Sequence, residues 1–301
     1  MNEVDPAPDP PASPQEQPEP VKADAPQAPA VTIAAVANEA SPSLAHVRAS
    51  IDRVDDQMLA LLGERMGLSA SIASVKIGGG LAWRPARETQ ILRRLIVNAP
   101  EGVDQQTIHD VWRALLAASA RRQQGMDIIV AELGDNGRLF DLARRHFGAS
   151  ARLARVDEPR AALARITDNP HTVAVLPTPA ASGLGLWWPT LSETRFHAAK
   201  IMAALPHVAN GQDEPEAVVV AANVQLEDAG EDTTLALAFD PHHRLQRAFN
   251  EAQMKGKELA RARTLVLVSL QGFVTMDDPR LAVLARIGLD GFRIIGSYAR
   301  I

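Results

Sequence analysis

Between positions 44 and 75, apolar side chains recur in three-four alternation: Leu44, Val47, Ile51, Val54, Met58, Leu61, then Leu68, Ile72 and Val75. This is a heptad seam, and it predicts one long amphipathic helix of roughly 50 Å at about 1.5 Å per residue. No small domain buries such a helix alone, so the seam calls for partner helices and a second copy of the chain. Ser41 or Ser43 is placed to cap the start, and Gly78, Gly79 and Gly80 to end it. A second helix opens at Pro85, with Ile91, Leu92, Leu95 and Ile96 as its apolar face. A third runs from about Asp104 to Gln124 on the stripe Ile108, Val111, Trp112, Leu115 and Leu116. After Gly125 the period changes. Strand-length apolar runs at 126–131, 151–156 and 172–176 alternate with helical stretches at 134–148 and 159–166, which predicts a small parallel sheet. The stretch 180–206 carries no assignable pattern. A strand at 216–224 precedes the run 233–239, 243–252, 259–262, 264–270, 279–287 and 292–298, which reads as a βαββαβ unit.

Composition narrows the partners. The 301 residues carry a net charge of −5 without a basic block, which argues against a nucleic-acid surface. There is no cysteine, so disulfides and thiolate metal sites are excluded. No apolar run reaches the roughly 20 residues of a membrane span. No basic leader followed by an apolar stretch opens the chain, and a cytoplasmic protein is expected. Residues 1–40, rich in Pro, Ala, Asp and Glu, cannot bury enough surface to offset their ordering entropy and are expected to be disordered.

The candidate chemistry lies where the helical seams turn polar. Between Leu61 and Leu68 the seam falls on Arg65, and eleven residues later, close to three full turns, stands Lys76. Two cations on an inner helix face are unfavourable unless an anion meets them. Ser119 and Gln123 continue the stripe of the third helix at i, i+4, and Arg87 and Glu88 open the helix between. Together these groups suit a small dianion that also carries a hydroxyl. Arg48, seventeen residues before Arg65, lies roughly 25 Å away along the axis and reaches such a pocket only from an antiparallel second chain. The alternative is that long helices carry Arg and Lys at seam edges, with stems buried and heads in water.

The string Leu44, Val47, Arg48, Ile51, Asp52, Asp55, then Leu61, Leu62, Glu64, Arg65, then Val75, Lys76, then Arg84, Pro85, Arg87, Glu88, and finally Ser119 and Gln123 resembles the all-α chorismate mutases. The resemblance covers about residues 42–124. It implies a three-helix fold in an intertwined homodimer, chorismate as substrate, and no cofactor or metal. It implies that Arg65 and a partner subunit's Arg48 grip the two carboxylates. Lys76 and Gln123 would bond the ether oxygen, Glu88 the ring hydroxyl, and Arg87 and Ser119 would complete the shell. One departure is Arg84, where many relatives have Asp. Isochorismate-pyruvate lyases share this helical fold, so the choice of substrate stays open.

The remainder resembles, more weakly, the prephenate dehydratase and regulatory (ACT) modules that follow such mutases. The stretch Gly134–Ala143 stands at the dehydratase's Gly-rich loop, Val173–Pro177 at its Val-Pro-Ile-Glu-Asn run, and Val268–Tyr298 at the end of the regulatory module. The departures are larger. Gly137, Arg138 and Leu139 replace Gly-Thr-Phe, and Thr178 and Pro179 replace the Glu-Asn pair. The Thr194, Arg195, Phe196 string comes too early for the family's catalytic motif. The expected organisation is a tail at 1–40, a mutase helical domain at 41–125, a degenerate dehydratase-like α/β lobe at 126–213 and an ACT-like domain at 214–301. The expected activity is chorismate to prephenate in Phe/Tyr biosynthesis, with a non-catalytic C-terminal region. The alternatives are a bifunctional mutase-dehydratase or a non-enzymatic ligand-sensing or dimerisation protein.

Overall fold

A computed structural model describes residues 43–75, 81–134, 136–209 and 214–301. Lys76, the three glycines that follow Ile77, Ser41 and the tail at 1–40 lie outside the described residues. Three helices open the described chain: α1 (Leu44–Val75), α2 (Pro85–Val97) and α3 (Gln105–Gln123). Ser43 caps α1, its Oγ accepting from the His46 amide at 3.3 Å. Asp104 caps α3, its carboxylate accepting from the Thr107 amide at 2.9 Å. By contacts the described chain divides within α1, between Gln57 and Met58.

The α/β part follows: β1 (Asp127–Ala131), α4 (Arg138–Phe147), β2 (Arg152–Val156), α5 (Pro159–Asp168), β3 (Thr172–Pro177), β4 (Ala199–Leu205), β5 (Ala217–Ala222), β6 (Thr233–Phe239), α6 (Leu245–Glu251), β7 (Gly256–Ala262), β8 (Leu265–Gln271), α7 (Leu281–Ile287) and β9 (Asp290–Tyr298). The nine described strands form one sheet in the order β2-β1-β3-β5-β4-β9-β6-β8-β7. β1 pairs in parallel with β2 and β3, as the strand-helix alternation predicts. The last four strands are joined by antiparallel pairs in the order β9-β6-β8-β7, which is the expected βαββαβ arrangement. β5 pairs antiparallel with β3 and β4.

The stretch 180–206, unassigned from sequence, forms three short 3-10 turns and β4. That strand is AKIMAAL, alanine-rich with a lysine, and shows neither alternation nor β-branched enrichment. Its place in the middle of the sheet, between β5 and β9, overrides that weak local preference. Successive strand residues point to opposite faces. Ile129, Leu163, Trp188, Phe196, Val220 and Leu267 pack on one face, while Val130, Leu142, Phe147, Val175 and Val219 pack on the other beneath α4. Phe249 of α6 and Leu284 of α7 cover Val266 and Val268. The edge strands β2 and β7 carry Arg152, Arg155, Lys257 and Glu258, charges that discourage further pairing.

The apolar face expected for α2 requires correction. Its buried residues are Pro85, Glu88, Thr89 and Leu92, while Ile91, Leu95 and Ile96 are only half-buried. The helix is turned by its docking onto the C-terminal sheet. Arg93 donates to the carbonyls of Ala229 at 3.0 Å and Arg300 at 2.9 Å, and Gln90 donates to the carbonyl of Asp228 at 2.8 Å. Trp83, just ahead of α2, is buried in the core beside Phe147.

Candidate active site

Three of the candidate residues, together with Ser69, form a ladder between the C-terminal half of α1 and the end of α3. Arg65 Nη1 donates to Ser119 Oγ at 2.9 Å, and Gln123 Nε2 donates to Ser69 Oγ at 2.9 Å. Arg65 and Ser69 stand at i, i+4, as do Ser119 and Gln123, so the rungs repeat once per helical turn and the two helices run in the same direction. Ser119 is buried, and its hydroxyl accepts from Arg65 while donating to the Leu115 carbonyl at 2.8 Å. Arg65 keeps four of its five guanidinium hydrogens and Gln123 one of its two amide hydrogens for other acceptors. Sequence reasoning missed Ser69; its spacing of four from Arg65 was the available signal.

Glu88 sits in a second cluster. It is 7% exposed and Arg113 is 3% exposed. Arg113 Nη2 meets Glu88 Oε2 at 2.7 Å, and Trp83 Nε1 donates to the same oxygen at 3.1 Å. Both bonds end on Oε2, so Oε1 retains its acceptor capacity. Arg113 stands six residues before Ser119, roughly 240° around α3. The two clusters therefore use different faces of that helix. Arg113 carried no motif; the signal for it was the need of a buried carboxylate for a cation. Arg87 is exposed and donates to Gln90 Oε1 at 3.3 Å. Arg48 is exposed on α1.

Residues 47–124 match the family model of chorismate mutase type II. This segment is a chorismate mutase domain. It makes the chain an isomerase of that class, with chorismate as the substrate of the domain. No curated protein matches the chain. Among solved structures, a prephenate dehydratase from Streptococcus mutans is 15% identical with a TM-score of 0.41, covering 57% of this chain and 97% of its own. One from Arthrobacter aurescens in complex with L-Phe is 15% identical with a TM-score of 0.37, covering 58% and 90%. GqqA, described as a quorum quenching acylase, is 13% identical with a TM-score of 0.40, covering 58% and 95%.

Within the chorismate mutase domain, Arg84 is the departure from the resembled pattern noted in the sequence. Its Nε donates to Glu227 at 3.1 Å, and the second arm of the guanidinium closes a two-pronged ion pair. The departure thus serves the junction with the segment after β5. Glu88, Arg113 and Thr89 line a cavity of about 320 Å³ between α2 and the ends of β4 and β9. Thr89 Oγ1 lies 3.0 Å from His207 Nε2 and donates its hydrogen to the Pro85 carbonyl. The imidazole must therefore carry its proton on Nε2. Burial, with the nearby Arg113 charge, holds His146 and His207 well below the usual histidine range. Among the described residues no group of three or more His, Asp or Glu is spaced to hold a metal. No described helix is long and apolar enough to cross a membrane.

Proposed function

We propose that the mutase domain rearranges chorismate to prephenate in phenylalanine and tyrosine biosynthesis, as a cytoplasmic homodimer, while residues 126–301 are non-catalytic. The rearrangement is a concerted pericyclic shift that needs neither nucleophile nor proton transfer. The protein has only to hold the diaxial conformer and to stabilise the charge growing on the ether oxygen. Arg65 and the partner subunit's Arg48 take the two carboxylates. Lys76 and the remaining amide hydrogen of Gln123 take the ether oxygen. Glu88, which the resemblance puts at the ring hydroxyl, is paired with Arg113 on another face of α3 and stands outside this shell. Arg87 and Ser119 complete the shell.

The observation that carries this reading is the Arg65–Ser119 and Ser69–Gln123 ladder, which holds a cation and a neutral donor one turn apart inside the segment that matches the family. The homodimer is supported by the seam of α1: Val47, Ile51, Val54, Met58, Leu61 and Leu68 are all exposed in the single chain. A non-catalytic C-terminal region is supported by Arg195, which lies exposed on a 3-10 turn, 3.4 Å from Asp168. The βαββαβ unit is read as an ACT-like regulatory module.

The test is chorismate turnover by the purified chain, with product identification. Arg65→Ala should lower kcat/KM by at least about 100-fold, the scale of one lost charge-stabilising contact, with the melting curve unchanged. Because Gln123 is neutral, the rate should be flat between about pH 6 and 8. Full activity in Arg65→Ala would refute the site. Phenylpyruvate formed from prephenate would refute the non-catalytic C-terminal region.

A further inference from the structure

Where α3 and α4 meet the loop after β4, a cavity of about 610 Å³ opens beside the one that Glu88 lines. Arg113, His146 and His207 line both cavities and form the wall they share. All three residues are more than nine-tenths buried. Each has nitrogen atoms with no hydrogen-bond partner among the described residues: Nε and Nη1 of Arg113, Nε2 of His146 and Nδ1 of His207. His109 Nε2, further along the same wall, is also unpartnered. Buried polar groups are normally satisfied, and a cluster of orphaned nitrogens from three separate segments is exceptional. Four arginines line the larger cavity against two carboxylates, Asp110 and Glu216. Glu216 is already taken by Arg138, and Asp110 accepts from His109 Nδ1 at 3.2 Å. Arg144 and Arg145, both exposed, stand at the mouth.

We propose that this cavity is a binding site for a small multivalent oxyanion, a phosphate or a polycarboxylate, held by Arg113, His146 and His207 and admitted past Arg144 and Arg145. The cavity is distinct from the Arg65–Ser119–Gln123 ladder, and nothing in the argument depends on the mutase reading. Arginine supplies a planar fork matched to such groups. The histidines make the site proton-linked. With its proton on Nε2, His207 presents a bare Nδ1, which becomes a donor only when the ring takes up a second proton. His146 lies with its ring centroid 5.9 Å from that of His207, in the field of the same Arg113. Both rings are held neutral by burial and by Arg113, with His109 adding at both and His207 at His146. Arg93 and Arg300 add to the field at His207, and the carboxylates in reach are Glu88, Asp110 and Glu216. An entering anion supplies the missing countercharge, so binding draws in protons.

The test is calorimetry on the full chain, with sodium phosphate in one arm and sodium citrate in the other, at constant ionic strength. At least one should bind in the millimolar range or tighter, and the arm that binds assigns the class. Affinity should rise between about pH 8 and about pH 6, by about tenfold per pH unit for each proton taken up. Heats measured in buffers of different ionisation enthalpy should report that uptake. His207→Asn should bind with fewer protons taken up. The exposed double variant Arg144→Ala/Arg145→Ala, which leaves the buried wall alone, should weaken binding several-fold. Arg113→Lys, keeping the charge but losing the fork, should abolish it. The absence of binding by both anions, a pH-independent affinity, or unchanged affinity in the folded arginine double variant would each overturn the proposal.

Discussion

Asp232 shows how much a single buried carboxylate is worth to this molecule. It accepts from the Ala229 amide at 2.9 Å and from Ser297 Oγ at 3.2 Å, at the end of the loop that receives α2. Burial, with Asp228 nearby, pushes its carboxyl up to about 6. The folded chain thus keeps a proton that the unfolded chain has already released above its ordinary value near 3.8. Over that window the group loses stability as pH rises, and the loss is complete above about 6. Asp232→Asn, which cannot ionise, should gain in melting temperature relative to the parent as pH goes from about 4 to about 7. A constant difference across that range would show an unshifted carboxyl. Glu88 carries the complementary lesson. Its position in the Arg-Glu pair was legible from the family spacing. Its ion pair with Arg113 was not, because Arg113 lies off the apolar stripe and only packing brings the two together.

At the scale of the element, α1 was the most legible part of the chain. Its three-four alternation predicted a helix from 44 to 76, and the helix runs Leu44–Val75. Periodicity of this length survives any local noise. Its seam is exposed in the single chain, which is why the periodicity speaks of a partner rather than of an internal core. Leu61→Glu with Leu68→Glu should leave the circular dichroism of the chain unchanged, because both positions are already more than half exposed. The pair should shift the chain from dimer to monomer in sedimentation, with turnover falling as the partner subunit's Arg48 is lost. A monomeric parent, or a dimer indifferent to two buried charges, would remove the basis for the shared site. α2 was less legible. Its apolar residues mark one face, yet the helix turns Glu88 and Thr89 inward, because Arg113 and His207 meet them there.

At the scale of the whole molecule, one sheet carries both halves of the α/β region, and its continuity rests on a narrow contact. β4 and β9 pair in parallel at Ile201 and Gly296. A Cβ at position 296 would stand 2.5 Å from Ile201 Cβ and 2.8 Å from its Cα, and closer still to its carbonyl oxygen. Neither backbone can retreat without breaking a ladder. Gly296→Ala should therefore cost about 3 kcal/mol, the scale of an overpacked core position, read as a lower urea midpoint. An unchanged midpoint would mean that the two halves are not cooperative. Nothing in the chain around 199–205 announced this junction, since AKIMAAL has no strand-like period and its register depends on β5, the next strand, and on β9, which is distant in sequence.

What the sequence determined by itself was whatever repeats locally: the long seam, the βαβαβ alternation, the βαββαβ run, and the i, i+4 spacing that puts Ser119 and Gln123 on one face of α3. These follow from side-chain periods of 3.6 and 2, which the backbone imposes wherever the chain goes. Only the tertiary structure decided that Glu88 would find Arg113, that α2 would rotate toward the sheet, and that three histidines would gather beside an arginine with unpartnered nitrogens. Those are meetings between segments distant in sequence. Their free energies come from desolvation and charge in a shared interior, which no local window of residues contains.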